Sequence, residues 1–267
     1  MQLILKKIVN KEMRNYWGER SNELAKAYCL HAQSISGDLR FDLVSRAIME
    51  HLPAKPQRII DIGGGYGRQA IILAKAGHQV VVLDNDATML DFAVDEVKKE
   101  SLKVQNNIDF KLGDGGDCDK MFNAEFDLVC CHSVLMYLEI PGNFITAMTN
   151  IVADGGLISI LSLNAQAMAM RSGLQGNYSD AMLRLGGQSE SKYTQSKAHK
   201  YDDIAVSLSA NHCKIKSCYG VGIFSDHLNE QSTFCNIDEL RELEWQAGKV
   251  SPYKEVARRF HLIAEKY

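Results

Sequence analysis

Arg58-Ile-Ile-Asp-Ile-Gly-Gly-Gly-Tyr-Gly67, with Val80-Val-Val-Leu-Asp84 soon after it, reads as a strand, a glycine turn opening a helix, and a second strand closed by a carboxylate. Glycines let backbone N–H groups come close to a ligand, and an acid at the tip of the next strand suits ribose hydroxyls. The spacing discriminates between cofactors. Gly63, Gly65 and Gly67 form G-x-G-x-G led by Asp61, with Gly64 between them, whereas a dinucleotide fingerprint is G-x-G-x-x-G with the pyrophosphate on a helix N-terminus. A carboxylate just ahead of the turn repels a pyrophosphate and attracts a cationic amino group. S-adenosylmethionine has that amino group, a ribose and an adenine, and no phosphate. The stretch therefore points to a methyl donor, with an NAD-type oxidoreductase as the alternative.

Working outward, apolar runs and helical patterns alternate in the order that builds a parallel sheet covered on both faces. Strands are expected at 58–62, 79–84, 107–112, 126–132 and 156–163, and helices at 66–77, 87–101 and 142–152. A helix at 199–210, a polar helical insert around 226–247 and two strands at 214–223 and 257–265 follow. The expected fold is α/β, a doubly wound Rossmann-like sheet of seven strands whose last two run antiparallel. Residues 1–57, with helices near 19–32 and 40–51, are expected to form an N-terminal segment covering the cofactor, with packing of this segment and of 164–198 on the sheet edge as the alternative. Residues 58–267 form the main domain, and 164–198, with a short helix near 179–185, is a cap insertion.

The chain has 267 residues, a formal charge of −3 and 46% hydrophobic residues, enough for one large core and without a global attraction to nucleic acid. Seven cysteines without a C-x-x-C pair fit reduced thiols, with no metal site expected. No apolar run is long enough to span a bilayer, and the N-terminus lacks a signal-peptide pattern, so a cytoplasmic protein without membrane contact is expected.

Other residues fall where an open α/β sheet binds ligands, at the carboxyl ends of its strands. Asp114 and Gly115, after the third strand, either meet the adenine or form a plain turn. Met89 either lies on the adenine ring or packs in the core. His132 ends the fourth strand beside Ser133 and Tyr137, where it orients the cofactor's methionine end, orients the acceptor, or acts as a base. Methyl transfer from a sulfonium is an in-line displacement needing chiefly alignment. A carboxylate acceptor is already ionised near neutral pH and needs no base, whereas an alcohol or amine benefits from one.

Asp61-Ile-Gly-Gly-Gly-Tyr-Gly67, His78-Gln-Val, Asp127-Leu-Val-Cys-Cys-His-Ser-Val-Leu135, Gly155-Gly-Leu-Ile-Ser-Ile-Leu, Asn164-Ala, Gly176-Asn-Tyr178 and Gly220-Val-Gly-Ile-Phe-Ser-Asp226 together resemble the bacterial tRNA 5-carboxymethoxyuridine methyltransferases, over nearly the whole chain. The resemblance implies a class I S-adenosylmethionine-dependent methyltransferase that esterifies the carboxymethoxy group of a tRNA wobble uridine. It also implies cofactor contacts at Arg40, Gly63, Gly64, Asp84, Gly115 and the Cys131-His132 strand end, with Arg40 pairing the cofactor's carboxylate. One block departs from that family. Where the tRNA enzymes carry a lysine- and arginine-rich run, this chain reads Gly186-Gly-Gln-Ser-Glu-Ser-Lys-Tyr-Thr-Gln-Ser196. Phosphate contacts dominate nucleic-acid affinity, so the acceptor stays open between tRNA and a small metabolite or natural-product intermediate. A regulator that senses the cofactor without turnover is the non-enzymatic alternative.

Overall fold

The computed structural model describes residues 34–123, 125–187, 196–227 and 236–267. Seven strands make one sheet: β1 (Arg58–Ile62), β2 (Gln79–Asp84), β3 (Ile108–Leu112), β4 (Phe126–His132), β5 (Val152–Leu163), β6 (Cys213–Val221) and β7 (Arg259–Lys266), in the order β3-β2-β1-β4-β5-β7-β6. β1 pairs in parallel with β2 and β4, β2 with β3 and β4 with β5, while β7 lies antiparallel between β5 and β6. This is the class I methyltransferase variant of the Rossmann-like fold, and the two-strand antiparallel finish is as expected.

The sheet is buried on both faces, and the period of two in its side chains divides the core. Ile60, Ile62, Val129, Cys131, Ile158 and Leu262 enter one apolar layer, and Ile59, Val82, Leu128, Cys130 and Ile263 enter the other. Helix α1 (Ile35–His51) is begun by Ser34, whose hydroxyl accepts from the Gly37 N–H. It packs Leu43, Val44, Ala47 and Ile48 into the second layer with α2 (Arg68–Lys75). Helix α3 (Ala87–Val97) is capped by the Asp86 carboxylate, which accepts from Thr88 N–H at 2.8 Å, satisfying one of the donors a helix start leaves open. Helix α4 (Gly142–Asn150) covers the first layer. Two short helices, α5 (Met168–Leu174) and α6 (Tyr178–Leu185), follow β5, and α7 (Tyr201–Ala210) and α8 (Ile237–Ala247) flank β6.

The expected boundaries move in four places. Helix 87–101 stops at Val97, and Leu102–Gln105 forms a separate single turn. The fifth strand begins at Val152 rather than 156, because Asp154-Gly155-Gly156 is an irregularity inside it, with Gly155 at φ +75° and the β4 register shifting between Phe126 and Leu128. The first described helix starts at Ile35 rather than 40. Of the insert at 226–247, the described part holds a 3-10 turn at Ser225–His227 and α8. The helix expected at 19–32 and the neutral run 188–195 lie outside the described residues.

Candidate functional site

The glycine turn sits at the carboxyl edge of β1, held by its neighbour β2. Gly63 N–H donates to Leu83 C=O at 2.7 Å and Gly67 N–H to Gly64 C=O at 3.0 Å. Gly65 N–H donates to Asp84 Oδ2 at 2.8 Å, and Asp84 Oδ1 accepts from Asp86 N–H at 2.9 Å. Asp84 is thus fastened to the turn while its carboxylate stays at the strand tip. Gly63 lies at φ +68°, and a Cβ there would overlap Val134 Cγ2, so both the backbone conformation and the close approach require glycine.

Asp61 stands beneath this turn. It is 2% exposed, its Oδ2 is buried without a hydrogen-bond partner among the described residues, and a Cβ on Gly64 would lie 2.9 Å from that oxygen. Burial, and then the facing Asp84 charge, raise its carboxyl from the usual 3.8 to about 7. Asp84 is also raised, chiefly by burial, although the N–H donors of Asp86 and Gly65 pull the other way. Two crowded carboxyl groups without a cation form a site that a cationic ligand would relieve.

On the adenine side of the expected site, Asp114 accepts from Gly116 N–H at 2.9 Å and so has the turn form. A Cβ on Gly115 would overlap Ile62 and crowd Phe144. Met89 is 5% exposed and clusters with Phe41 and Tyr66, and its Cε lies 3.0 Å from where a Gly65 Cβ would stand. It is a core residue that also floors the turn. The Cys131 side chain, by contrast, is sealed in the first apolar layer and its thiol is pushed well up by burial. At this strand end the side chain facing the site is that of His132, and the expectation for the Cys131 side chain is corrected accordingly: an inward residue of β4 points into the core.

A small recess, about 20 Å³ in volume, is lined by Arg40, Phe41, Val44, Gln69, His132, Ser133 and Leu161. Arg40 and Phe41 come from α1, and the buried Arg40 guanidinium lies 4.7 Å from the Phe41 ring centroid. Gln69 donates to Ser45 Oγ at 3.0 Å, leaving its buried Oε1 unpartnered among the described residues. Ser133 has φ +62°, a conformation uncommon outside glycine and concentrated at functional sites. Burial, and then Arg40, push His132 down to about 3. His132 is therefore a neutral ring at physiological pH.

Sequence reasoning missed what stands behind His132. Its Nε2 is 2.8 Å from Ser159 Oγ, which is 2.7 Å from Nε2 of His261. The only sequence signal was a polar residue inside each of two apolar strands. It also missed an arginine group beyond the end of β5. Asp226 carboxylate oxygens face Arg171 at 3.2 Å, Arg259 at 3.5 Å and Arg258 at 3.7 Å, while Arg184 pairs with Asp180 at 2.6 Å. Burial holds Arg258 below its ordinary value; Asp226 opposes this, and the charges of Arg171 and Arg184 add to it.

Residues 60–160 match the family model of a methyltransferase domain. The chain is 28% identical over 263 residues to the tRNA 5-carboxymethoxyuridine methyltransferase of Escherichia coli K12, spanning 97% of this chain and 94% of that relative. Among solved structures, magnesium protoporphyrin IX methyltransferase from Synechocystis PCC 6803 with bound SAH superposes with a TM-score of 0.55 at 18% identity, covering 85% of this chain and 81% of the other. A SAM-dependent methyltransferase from Thermotoga maritima reaches 0.58 at 11% identity, over 96% and 100%.

Proposed function

We propose that this chain, a class I S-adenosylmethionine-dependent methyltransferase, esterifies the carboxymethoxy group of a tRNA wobble uridine in the cytoplasm. The observation that carries the reading is the end-to-end likeness to the Escherichia coli tRNA enzyme, 97% of one chain against 94% of the other. It runs well beyond the 60–160 block of the methyltransferase domain, into the cap and the last strands where an acceptor would be met.

S-adenosylmethionine supplies the activated methyl group when bound; the protein's task is to hold and align. The buried, unpartnered Asp61 oxygen fits the cofactor's ammonium group, and the glycines at 63, 64, 65 and 67 fit the close approach of its backbone-facing edge. Asp84, held by Gly65 N–H, faces the ribose hydroxyls. Asp114 shapes the turn that would present Gly115 to the adenine, with Met89 under the glycine turn. Arg40 answers the cofactor's carboxylate. From the N-terminal segment, α1 serves as a cover, and α5 and α6 of the insertion form the acceptor-side cap.

The acceptor chemistry agrees with the ring chemistry. A carboxylate is ionised at neutral pH, so its oxygen attacks without a base, and a histidine lowered to about 3 is a poor base but a stable neutral partner. The four arginines beyond the end of β5, Arg171 and Arg184 from the cap and Arg258 and Arg259 at the entry to β7, outnumber the Asp226 and Asp180 they face and supply local positive charge, and phosphate oxygens are the ligands such forks favour. The test is mass spectrometry of wobble nucleosides after unmethylated tRNA is incubated with enzyme and S-adenosylmethionine. A gain of one methyl, removed by mild ester hydrolysis and absent without enzyme, is expected. No gain on any tRNA, with turnover on a small carboxylic acid instead, overturns the tRNA reading.

A further inference from the structure

Ser159 lies between two histidines in the middle of the sheet. On β5, Ser159 pairs with Ile263 of β7 and Cys130 of β4, while His261 and His132 both register with Leu161. Ser159 and His261 are wholly buried. The serine hydroxyl has one proton, and among the described residues its partners are the two imidazoles; accepting from both would orphan its own buried O–H, so it donates to one and accepts from the other. The direction of the chain therefore fixes both rings.

The far end decides the direction. His261 Nδ1 is buried with no partner among the described residues. Its ring lies tilted at 33° to Tyr219 with centroids 6.0 Å apart and edge-on to His132 at 5.7 Å. If His261 Nε2 accepted from Ser159, Nδ1 would be an orphaned buried N–H, the rarer and costlier of the two defects. If His261 Nε2–H donates, Nδ1 is only an unused lone pair. Ser159 Oγ–H then donates to His132 Nε2, and the proton of the His132 ring sits on Nδ1. Beside that ring, the described residues lining the recess include Arg40 and no acidic side chain.

We infer that Ser159 and His261 are positioning residues that fix His132 as its Nδ1–H tautomer, making it a hydrogen-bond donor that works with Arg40 to bind a carboxylate in the recess. This rests on the methyltransferase reading and assigns His132 one role, that of donor, among those its position allows. Two carboxylates can reach such a site: the methionyl carboxylate of the cofactor and that of the acceptor. Neutral His261 has neutral neighbours in Ser159 and Tyr219. Burial, then His132 and His51, hold it well below the ordinary histidine value, so the chain keeps its direction through the physiological range.

The experiment is long-range proton–nitrogen NMR on ligand-free protein labelled with ¹⁵N-histidine, with the His132 signals assigned by their loss in His132→Gln. Expected is a neutral Nδ1–H ring at His132 and Nε2–H at His261. Ser159→Ala should leave His132 as a mixture of tautomers, and Ser159→Thr, which keeps the hydroxyl, should restore the single form. A neutral Nε2–H ring or a doubly protonated ring at His132 in the unsubstituted protein overturns the inference. Calorimetry then identifies the carboxylate. If Ser159→Ala weakens S-adenosylhomocysteine severalfold but leaves 5′-methylthioadenosine, which lacks the amino-acid tail, unchanged, the cofactor's carboxylate is bound. If both are unchanged and KM for the acceptor rises severalfold, it is the acceptor's. No change in either sinks the donor pair. Failure of tRNA as a substrate would leave the tautomers and the cofactor titrations untouched, so the two readings fail separately.

Discussion

Asp61 and Glu244 are both carboxyl groups buried in the same chain, and they live under opposite conditions. Glu244, on α8, is fully buried and accepts from Ile223 N–H at 2.9 Å, Phe224 N–H at 3.0 Å, Ser225 N–H at 2.7 Å and Ser225 Oγ at 2.6 Å. Asp61, under the glycine turn, has an oxygen with no hydrogen-bond partner among the described residues and a second carboxylate for a neighbour. The first organises the turn after β6 and is complete within the fold. The second is costly to the fold alone, and on the proposed function a cation from outside would complete it. Where a buried charge is left unsatisfied, stability has been traded against binding.

Substitutions can break this contrast. The largest effect is expected from Glu244→Ala, which strands three backbone N–H groups and a hydroxyl and should lower unfolding free energy by about 3–5 kcal/mol. Chemical denaturation should show a lower midpoint, while S-adenosylhomocysteine affinity of the remaining folded protein is unchanged.

Asp61→Asn should have the opposite sign in stability. A carboxyl raised to about 7 in the folded chain favours folding fully below its unfolded value near 4 and loses that contribution as pH rises through 7. At pH 8 the asparagine variant should therefore be more stable than the unsubstituted protein, by about 2–4 kcal/mol, and should lack its fall in stability between pH 4 and 7. Cofactor affinity should drop in the same variant. In the unsubstituted protein that affinity should rise with pH through 7, as the carboxylate becomes ionised to meet the ammonium. Denaturation and titration across this pH range test both. A destabilised Asp61→Asn protein would erase the distinction from Glu244.

Asp84→Ala sharpens the contrast on the binding side. It removes the acceptor for Gly65 and Asp86 N–H groups and the proposed sugar contact together, and should weaken cofactor binding by about 1–3 kcal/mol; an unchanged dissociation constant removes Asp84 from the site. The smallest effect belongs to the cap. Arg171→Ala should weaken tRNA binding by about 1 kcal/mol and reduce the salt dependence of that binding by about one phosphate contact, with cofactor affinity unaffected. An unchanged salt slope would make the arginine group a structural network around Asp226.

Much of this was legible before any coordinates. The glycines at 63, 65 and 67, the strand-end acid Asp84 and the alternating apolar strands are local signals, and each describes a conformation that neighbouring residues impose on one another. Boundaries slipped where local signals were ambiguous. Asp154-Gly155-Gly156 reads equally as a turn before a strand or a bulge within it, and pairing with β4 selected the bulge. Cys131 and His132 are adjacent in sequence, yet one seals the core and the other lines the recess, because a strand alternates its side chains.

The sequence by itself determined the order of strands and helices and the glycine turn, since these depend on backbone sterics and short-range periodicity, and it pointed to the class of cofactor through the charge of Asp61. Only the tertiary structure decided the protonation of Asp61, the partners of His132 and the gathering of arginines around Asp226. Ser159 and His261 meet across 102 positions of chain. Dielectric, charge proximity and hydrogen-bond direction at such meetings are properties of the packed sheet, and no stretch of residues contains them alone.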